Sequence, residues 1–229
     1  MSDIFDCRDE AQLLAGLRHA RRSIARGELV VLPTDTVYGV AADAFDPAAV
    51  TALLAAKGRG RQSPPPVLVS GAPMLAALVS EVPEPIERLI AEFWPGGLTI
   101  VLPSQPSLAW DLGETHGTVA VRMPDNRVTL DLIQDAGPLA VSSANLTGRP
   151  AATSVLEAER MLRSSVKVYL DDGPSNTGVA STIIDATALA RYEKDARVRM
   201  LREGAVSLER LRESLGELLD DSLASGATA

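Results

Sequence analysis

Short, uninterrupted runs of apolar residues alternate with segments of helical periodicity along most of this chain. Leu29-Val30-Val31-Leu32 is one such run, and its continuous apolar character is typical of a strand covered on both faces. Residues 9–26 instead place Leu13, Leu17 and Ile24 on one helix face, with arginines mostly opposite. Strands that alternate with helices predict an α/β fold, in which helices cover a sheet.

The same criteria predict the remaining elements. Further strands are predicted at 67–69, 98–102, 119–122, 139–141, 166–170, 182–184 and 198–201. Further helices are predicted from 47 to about 57 and at 72–80, 84–93, 126–136, 154–165 and 207–219, the last of them packed outside, and residues 220–229 are expected to fray. No internal repeat and no long linker interrupts the pattern, so we expect one compact domain.

Composition narrows the class of protein. The 229 residues are 46% hydrophobic and carry a formal net charge of -8, which argues against broad nucleic-acid binding because such binding needs a basic surface. The single Cys7 excludes an internal disulfide and a multi-thiolate zinc site. No apolar stretch approaches the roughly 20 residues that cross a bilayer, and the N-terminus lacks a signal pattern. We expect a cytoplasmic protein with no membrane partner.

One cationic loop stands out in this acidic chain. Lys57-Gly58-Arg59-Gly60-Arg61-Gln62-Ser63-Pro64 gathers three positive side chains, although the protein has only three lysines. Basic residues after a helix can simply complement its dipole, and this alternative stays open. The Gly-x-Gly spacing favours a ligand instead, because it lets the backbone approach one closely. The loop is therefore a candidate clamp for phosphate groups.

Hydroxyl-bearing segments occur where predicted strands end. Loops at strand ends collect ligands in open α/β sheets, so these segments predict a pocket rich in neutral hydrogen-bond donors. Each one alone could equally be a turn or a helix cap. The segments are 33–39, 118–122, 142–145 and 178–182.

Other catalytic arrangements fit poorly. Ser142-Ser143 lacks the Gly-x-Ser-x-Gly turn of hydrolases, and the only histidines are His19 and His116, both expected at the surface. Neither standard glycine-rich nucleotide loop occurs. A nucleotide, if one binds, is held in another way.

Six ordered motifs together resemble the YrdC-like proteins, the threonylcarbamoyl-AMP synthases, from about residue 10 to 205. The motifs are Pro33 to Gly39, Lys57-x-Arg59, Trp94-Pro-Gly-Gly-Leu-Thr99, Val119-Ala-Val-Arg-Met-Pro124, Ser143-Ala-Asn145 with Gly148 and Pro150, and Ser181-Thr-Ile-Ile-Asp185. The resemblance implies a twisted mixed β-sheet flanked by helices around a deep, positively lined cavity. It also implies a catalytic domain at 1–205, followed by a helix and frayed tail at 206–229.

The resemblance further implies a reaction in which L-threonine, bicarbonate or CO2, and ATP give L-threonylcarbamoyladenylate and pyrophosphate. The expected threonine ligands are Thr34, Thr36, Arg122, Ser143 and Ser181. The expected ATP ligands are Lys57, Arg59, Ser63, Thr118, Asn145, Thr153 and Arg202, with Lys57 and Arg59 also expected to be catalytic. Mg²⁺ would arrive with ATP, without a protein cage, and a downstream tRNA threonylcarbamoyl transferase complex would use the product to modify adenosine 37 of tRNA.

This chain departs from the family pattern at several positions. Gly60 replaces a common proline, which would loosen the loop, whereas Pro64-Pro65-Pro66 stiffens its far side. Leu68 stands where many relatives have a histidine that contacts threonine. The additional C-terminal domain of longer relatives is absent from this sequence, so its function is not expected here.

Two alternative functions stay open from the sequence. The cavity could recognise structured RNA, although the acidic balance weighs against this. The protein could also adenylate carbamate derived from carbamoyl phosphate, as related domains do.

Overall fold

The computed structural model describes residues 2–220, which form one mixed sheet with helices on both faces. The strands are β1 (Asp3–Asp6), β2 (Val30–Leu32), β3 (Gly39–Asp43), β4 (Val67–Leu68), β5 (Leu98–Pro103), β6 (Thr118–Arg122), β7 (Leu139–Ser143), β8 (Val168–Asp171), β9 (Thr182–Asp185), β10 (Val198–Arg202) and β11 (Leu219–Asp220). The helices are α1 (Glu10–Ile24), α2 (Pro47–Lys57), α3 (Ala72–Leu78), α4 (Glu84–Phe93), α5 (Arg127–Ala136), α6 (Val155–Leu162), α7 (Thr187–Ala190) and α8 (Leu208–Leu215), with 3-10 turns at Arg163–Ser165 and Gly216–Leu218.

The sheet combines parallel and antiparallel pairs. Its strand order is β1-β8-β2-β3-β7-β4-β6-β5-β9-β10-β11. β4 runs parallel to β6 and antiparallel to β7, whereas β5 runs antiparallel to β6 and parallel to β9. The predicted α/β class with a mixed sheet is confirmed.

Two apolar clusters hold the helices to the two faces of the sheet. Leu53 of α2 and Leu89 of α4 belong to the larger cluster, and Ile24 of α1 and Leu132 of α5 belong to the smaller one. All four side chains are almost fully buried. Burial of such leucines contributes about 1.5–3 kcal/mol each relative to exposure, so this patterning stabilises the layers.

Four elements were missed by the sequence prediction, namely β1, β3, β11 and α7. β1 reads Asp-Ile-Phe-Asp, too short and too acidic to show a strand pattern, and β3 reads Gly-Val-Ala-Ala-Asp, whose small residues carry little strand preference. β11 spans two residues and α7 spans four. These elements form because longer neighbours offer hydrogen bonds, as β7 does along all of β3.

The C-terminal segment joins the main core. Val206, Leu211 and Leu215 are buried in the larger apolar cluster, so α8, predicted to pack outside, turns a leucine face inward. The predicted boundary at residue 205 stays a prediction, and residues 221–229 of the expected frayed tail lie outside the described residues. No helix among the described residues is both long and apolar enough to span a membrane.

The cationic loop joins the end of α2 to β4, as predicted. Asp46 caps the start of α2 by accepting hydrogen bonds from the backbone N–H groups of Ala48 and Ala49. Gly58 ends the helix in the left-handed conformation, with φ of 67°, which glycine adopts without steric cost. Lys57 therefore belongs to the last helical turn, and the loop begins after it.

Candidate active site

A cavity of about 330 Å³ lies over the middle of the sheet. This volume is at the lower end of the range of small-molecule sites. Thr118, Ala120 and Arg122 of β6 line it, as expected for residues that share one face of a strand. Thr118 and Arg122 are four residues apart, about 13 Å along a strand, so the cavity has room for two groups side by side.

The structure brings most of the predicted site residues to this cavity. Its lining includes Thr34, Thr36, Arg59, Thr118, Arg122, Ser143, Ser181 and Arg202. Leu68 also lines it, together with Pro64, Pro65 and Pro66 of the cationic loop. Lys57, Ser63, Asn145 and Thr153 are not among the lining residues.

Arg122 is held in one orientation by three neighbours. Its Nε donates to the carbonyl oxygen of Gly96 at 2.9 Å, its Nη1 donates to Oγ1 of Thr36 at 2.9 Å, and its Nη2 donates to Oδ1 of Asp35. Burial lowers the pKa of Arg122, and the nearby Asp35 carboxylate opposes that shift. A guanidinium has five N–H groups, so one on each terminal nitrogen remains for a ligand.

The hydroxyls of Thr34 and Thr36 form a directed chain. Thr34 donates its one proton to the carbonyl oxygen of Val37 at 2.6 Å, so Thr36 must be the donor in the 2.9 Å bond between the two hydroxyls. Thr36 also accepts from Arg122. In this arrangement Thr36 can only accept a hydrogen bond from a ligand, which suits an N–H group.

Arg59 and Arg202 supply positive charge, with no acidic partner in the described part of the chain. Nε of Arg59 donates to Oγ1 of Thr147 at 3.3 Å, and Nη2 of Arg202 donates to the carbonyl oxygen of Ser181 at 2.8 Å. Within residues 2–220 neither guanidinium pairs with a carboxylate. Burial lowers the pKa of Arg202, and the charges of Arg59 and Arg122 lower it further. An anion in the cavity would relieve this repulsion.

Lys57 makes contacts that the sequence did not predict. Its side chain is 1% exposed, and its Nζ donates to the carbonyl oxygens of Ser143 and Asn145, the latter at 2.8 Å. It therefore ties the end of α2 to the segment after β7, below the cationic loop. Sequence could not show this, because the contact joins residues far apart in the chain. Burial, with a smaller effect of Arg59, lowers the pKa of Lys57 to about 7.

Three other predicted ATP ligands have local partners. Asn145 donates its amide N–H groups to the carbonyl oxygens of Leu146 and Arg149, and Thr153 donates to the Glu157 carboxylate at 3.0 Å. The Ser63 backbone N–H closes a turn onto Gly60. Their roles toward ATP stay predictions.

A second loop covers the cationic loop. Arg61 forms two hydrogen bonds with the Asp111 carboxylate, at 2.8 and 3.0 Å, and its carbonyl oxygen accepts from the Glu114 backbone N–H at 2.8 Å. Arg61 is thus committed to the neighbouring loop, whereas Arg59, two residues earlier, lines the cavity. The two arginines of the cationic loop therefore have different surroundings.

Two polar residues at the site were not predicted individually. Thr99 lines the cavity, and its hydroxyl lies 2.8 Å from that of Ser181. Asp35 pairs with Arg122. A lone threonine within the apolar run 98–102 was a usable signal for Thr99, but the partner of Asp35 is 87 residues away and left none.

Residues 22–204 match the Sua5/YciO/YrdC family, which carries the description "Telomere recombination". This match takes in well over half of the chain. The chain belongs to the Sua5/YciO/YrdC family. The family membership agrees with the resemblance seen in the motifs and with the mixed sheet described above.

Relatives extend the family match to nearly the full chain. A Mycobacterium leprae protein, provisionally named a threonylcarbamoyl-AMP synthase, is 50% identical over 216 residues, which are 94% of this chain and 95% of that protein. The threonylcarbamoyl-AMP synthase of Pyrococcus abyssi is 36% identical over 203 residues, 88% of this chain. That longer family member is only 58% covered.

A solved structure shares the fold of this family member. The crystal structure of P. abyssi Sua5 complexed with L-threonine superposes with a TM-score of 0.83 at 33% sequence identity. The superposition covers 96% of this chain and 62% of that one. The two proteins therefore share the sheet and its flanking helices.

Proposed function

We propose that this protein is a threonylcarbamoyl-AMP synthase that joins L-threonine, bicarbonate or CO2, and ATP into L-threonylcarbamoyladenylate and pyrophosphate. Family membership and the names of its relatives support this activity. The observation that carries the proposal is one cavity lined by Arg122, whose guanidinium pairs with Asp35, and by Arg59 and Arg202, which meet no carboxylate among residues 2–220. Such a cavity suits a carboxylate next to a polyphosphate.

The reaction needs alignment more than a protein nucleophile. The amine of threonine and CO2 form a carbamate, whose oxygen attacks the α-phosphorus of ATP while pyrophosphate leaves. Two anions must approach each other, so cations placed where charge accumulates lower the barrier. Arg122 would hold the threonine carboxylate, and Arg59 and Arg202 would hold the phosphates. Thr36, which can only accept, would bind the substrate N–H group.

Lys57 would act by positioning rather than by contact with phosphate. Its ammonium fixes the carbonyl oxygens of Ser143 and Asn145, two residues expected to bind substrates. Mg²⁺ would enter with ATP and neutralise part of the phosphate charge. The lining of the cavity is guanidinium, hydroxyl and apolar groups, and no cluster of three metal-binding side chains lies within the described residues, so the nucleotide itself would hold the ion.

We also propose a cellular location and a downstream partner for the protein. The single cysteine, Cys7, is free and buried, which is compatible with a reducing cytoplasm. A downstream tRNA threonylcarbamoyl transferase complex would consume the product. The formal net charge of -8 argues against direct nucleic-acid binding.

A pyrophosphate-release assay tests the proposed activity. We expect release when ATP, L-threonine and bicarbonate are all present, no release when any one of the three is simply omitted, and no release when carbamoyl phosphate replaces threonine and bicarbonate. Release with carbamoyl phosphate alone would support a carbamoyl-adenylating enzyme instead. Serine lacks one methyl group, worth about 1–3 kcal/mol, so we expect a lower but measurable rate with serine.

A further inference from the structure

The geometry points to Asp35 as the residue that sorts the two anions of the proposed reaction, by reserving Arg122 for a monocarboxylate and leaving the polyphosphate to Arg59 and Arg202. This inference rests on the proposed function and names a specificity-determining residue for it. Asp35 does not line the cavity, so it acts through Arg122 as a positioning residue.

Asp35 is built into the structure behind Arg122. Its Oδ1 accepts hydrogen bonds from Nη2 of Arg122 and from the backbone N–H of Asp125, the latter at 2.9 Å. The side chains of Arg122 and Asp35 are only 8% and 14% exposed, so water screens their interaction weakly. Asp35 thus fixes the orientation of the Arg122 guanidinium and places a negative charge next to it.

The other two cavity arginines differ from Arg122 in this respect. Arg59 donates to a threonine hydroxyl, and Arg202 donates to Ser181, and neither meets a carboxylate within residues 2–220. A triphosphate carries several negative charges and would be repelled by Asp35 at the Arg122 position. It would meet no such carboxylate at Arg59 and Arg202.

A monocarboxylate is repelled less than a triphosphate, and Arg122 keeps donors for it. Arg122 keeps one N–H on each terminal nitrogen, because its three other contacts are made to Gly96, Thr36 and Asp35. Two donors can hold one carboxylate by both oxygens. Asp35 therefore permits one class of anion at Arg122 and disfavours the other.

Calorimetric titration with L-threonine, with and without inorganic tripolyphosphate, tests this inference. In the unmodified protein we expect tripolyphosphate to change the threonine Kd by less than about twofold. In Asp35→Asn, which keeps the shape and an acceptor oxygen but removes the charge, tripolyphosphate should compete for Arg122. The apparent threonine Kd should then rise about 10-fold or more.

Two further variants distinguish an effect of the Asp35 charge on anion selectivity from a general structural effect of the substitution. Asp125→Asn removes the same charge from an exposed neighbour, and Asp35→Glu keeps the charge at the site, so neither should allow competition. Thermal melting checks that every variant is folded. Equal weakening of threonine and tripolyphosphate binding in Asp35→Asn, without competition, would overturn the inference. If the titrations give the expected results but the protein makes no adenylate, the proposed function would be contradicted and the inference about Asp35 would stand.

Discussion

Arg59 is the cavity cation that the structure leaves most available for phosphate. We expect Arg59→Ala to lower turnover by about 100-fold or more, because it removes a positive charge from the transition state. Pyrophosphate release measures this effect. Arg127→Ala is the control, since Arg127 is exposed on α5 and is not among the cavity-lining residues, and it should keep normal turnover. Similar rates for both variants would remove Arg59 from the reaction.

Lys57 gives a prediction for the pH dependence of stability. Its pKa is lowered to about 7 in the folded protein but is ordinary in the unfolded chain. Between these two values the unfolded chain binds more protons, so this group makes stability rise with pH, and its destabilising effect is greatest below pH 7. We expect the free energy of unfolding of the unmodified protein, relative to Lys57→Met, to increase from pH 7 to pH 10.

Urea denaturation at each pH measures this difference. Lys167→Met serves as the control, because Lys167 is exposed, and its difference from the unmodified protein should stay flat over the same range. A flat or falling difference for Lys57→Met would show that the four oxygens around its ammonium, rather than burial, set its pKa.

Single residues differ in how well sequence predicts them. Arg59 and Arg122 stand within the quoted motifs, and the family resemblance implied Arg202; all three line the cavity. The contacts of Lys57 were not predicted, and Asp35 was missed, because both depend on residues more than 80 positions apart in the chain. Side-chain partners at such separations are fixed by the sheet, which local sequence does not specify.

The contact between the two loops makes a prediction about the cationic loop. A side chain at Gly113 would place its Cβ 2.6 Å from the carbonyl oxygen of Arg61, so Gly113→Ala should push the two loops apart. We expect a raised KM for ATP with little change in the KM for threonine, as measured by steady-state kinetics. The substitution also adds roughly 1–3 kcal/mol of strain, because φ at this position is 108°.

Gly117→Ala provides a matched control for that strain. Gly117 also has a positive φ, of 76°, but a Cβ there would meet nothing within 4 Å. It should lose stability without a change in the KM for ATP. Equal effects of both variants on the KM would mean that the contact with Arg61 does not position the loop.

Longer elements were predicted better than short ones. α1, α2, α4 and β5 have clear periodicity or continuous apolar runs, and all were found. β3 was missed although it lies in the middle of the sheet between β2 and β7. Its small residues suit a strand that is packed tightly on both sides, and this environment is tertiary information.

The two apolar clusters pack on opposite faces of one sheet, so we expect the described residues to unfold as one cooperative unit. Leu211 of α8 is 0% exposed, so Leu211→Ala should lower the free energy of unfolding by about 2–5 kcal/mol. Leu14→Ala on α1 is the control, because Leu14 is 60% exposed and should change stability by less than about 0.5 kcal/mol. Urea unfolding, monitored by circular dichroism and by tryptophan fluorescence, measures the stability of both variants. The two probes should show one shared transition.

Separate transitions for the two probes, or a negligible effect of Leu211→Ala, would contradict a single cooperative unit. The order of the strands could not be predicted from pattern alone, since neighbours such as β3 and β7, or β5 and β9, are far apart in the chain. The family resemblance predicted a mixed sheet but not the order of its strands, which the structure supplies. The cavity depends on it, because Thr99, Arg122, Ser143 and Ser181 come from four strands or their ends.

Mass spectrometry of the rapidly quenched reaction with ¹³C-bicarbonate tests most directly whether one cavity joins threonine to ATP. We predict an adenylate that contains threonine, AMP and one labelled carbon, formed in amounts equal to the pyrophosphate released. Pyrophosphate without a labelled threonine adduct, or an adenylate that forms without threonine, would contradict the proposed reaction.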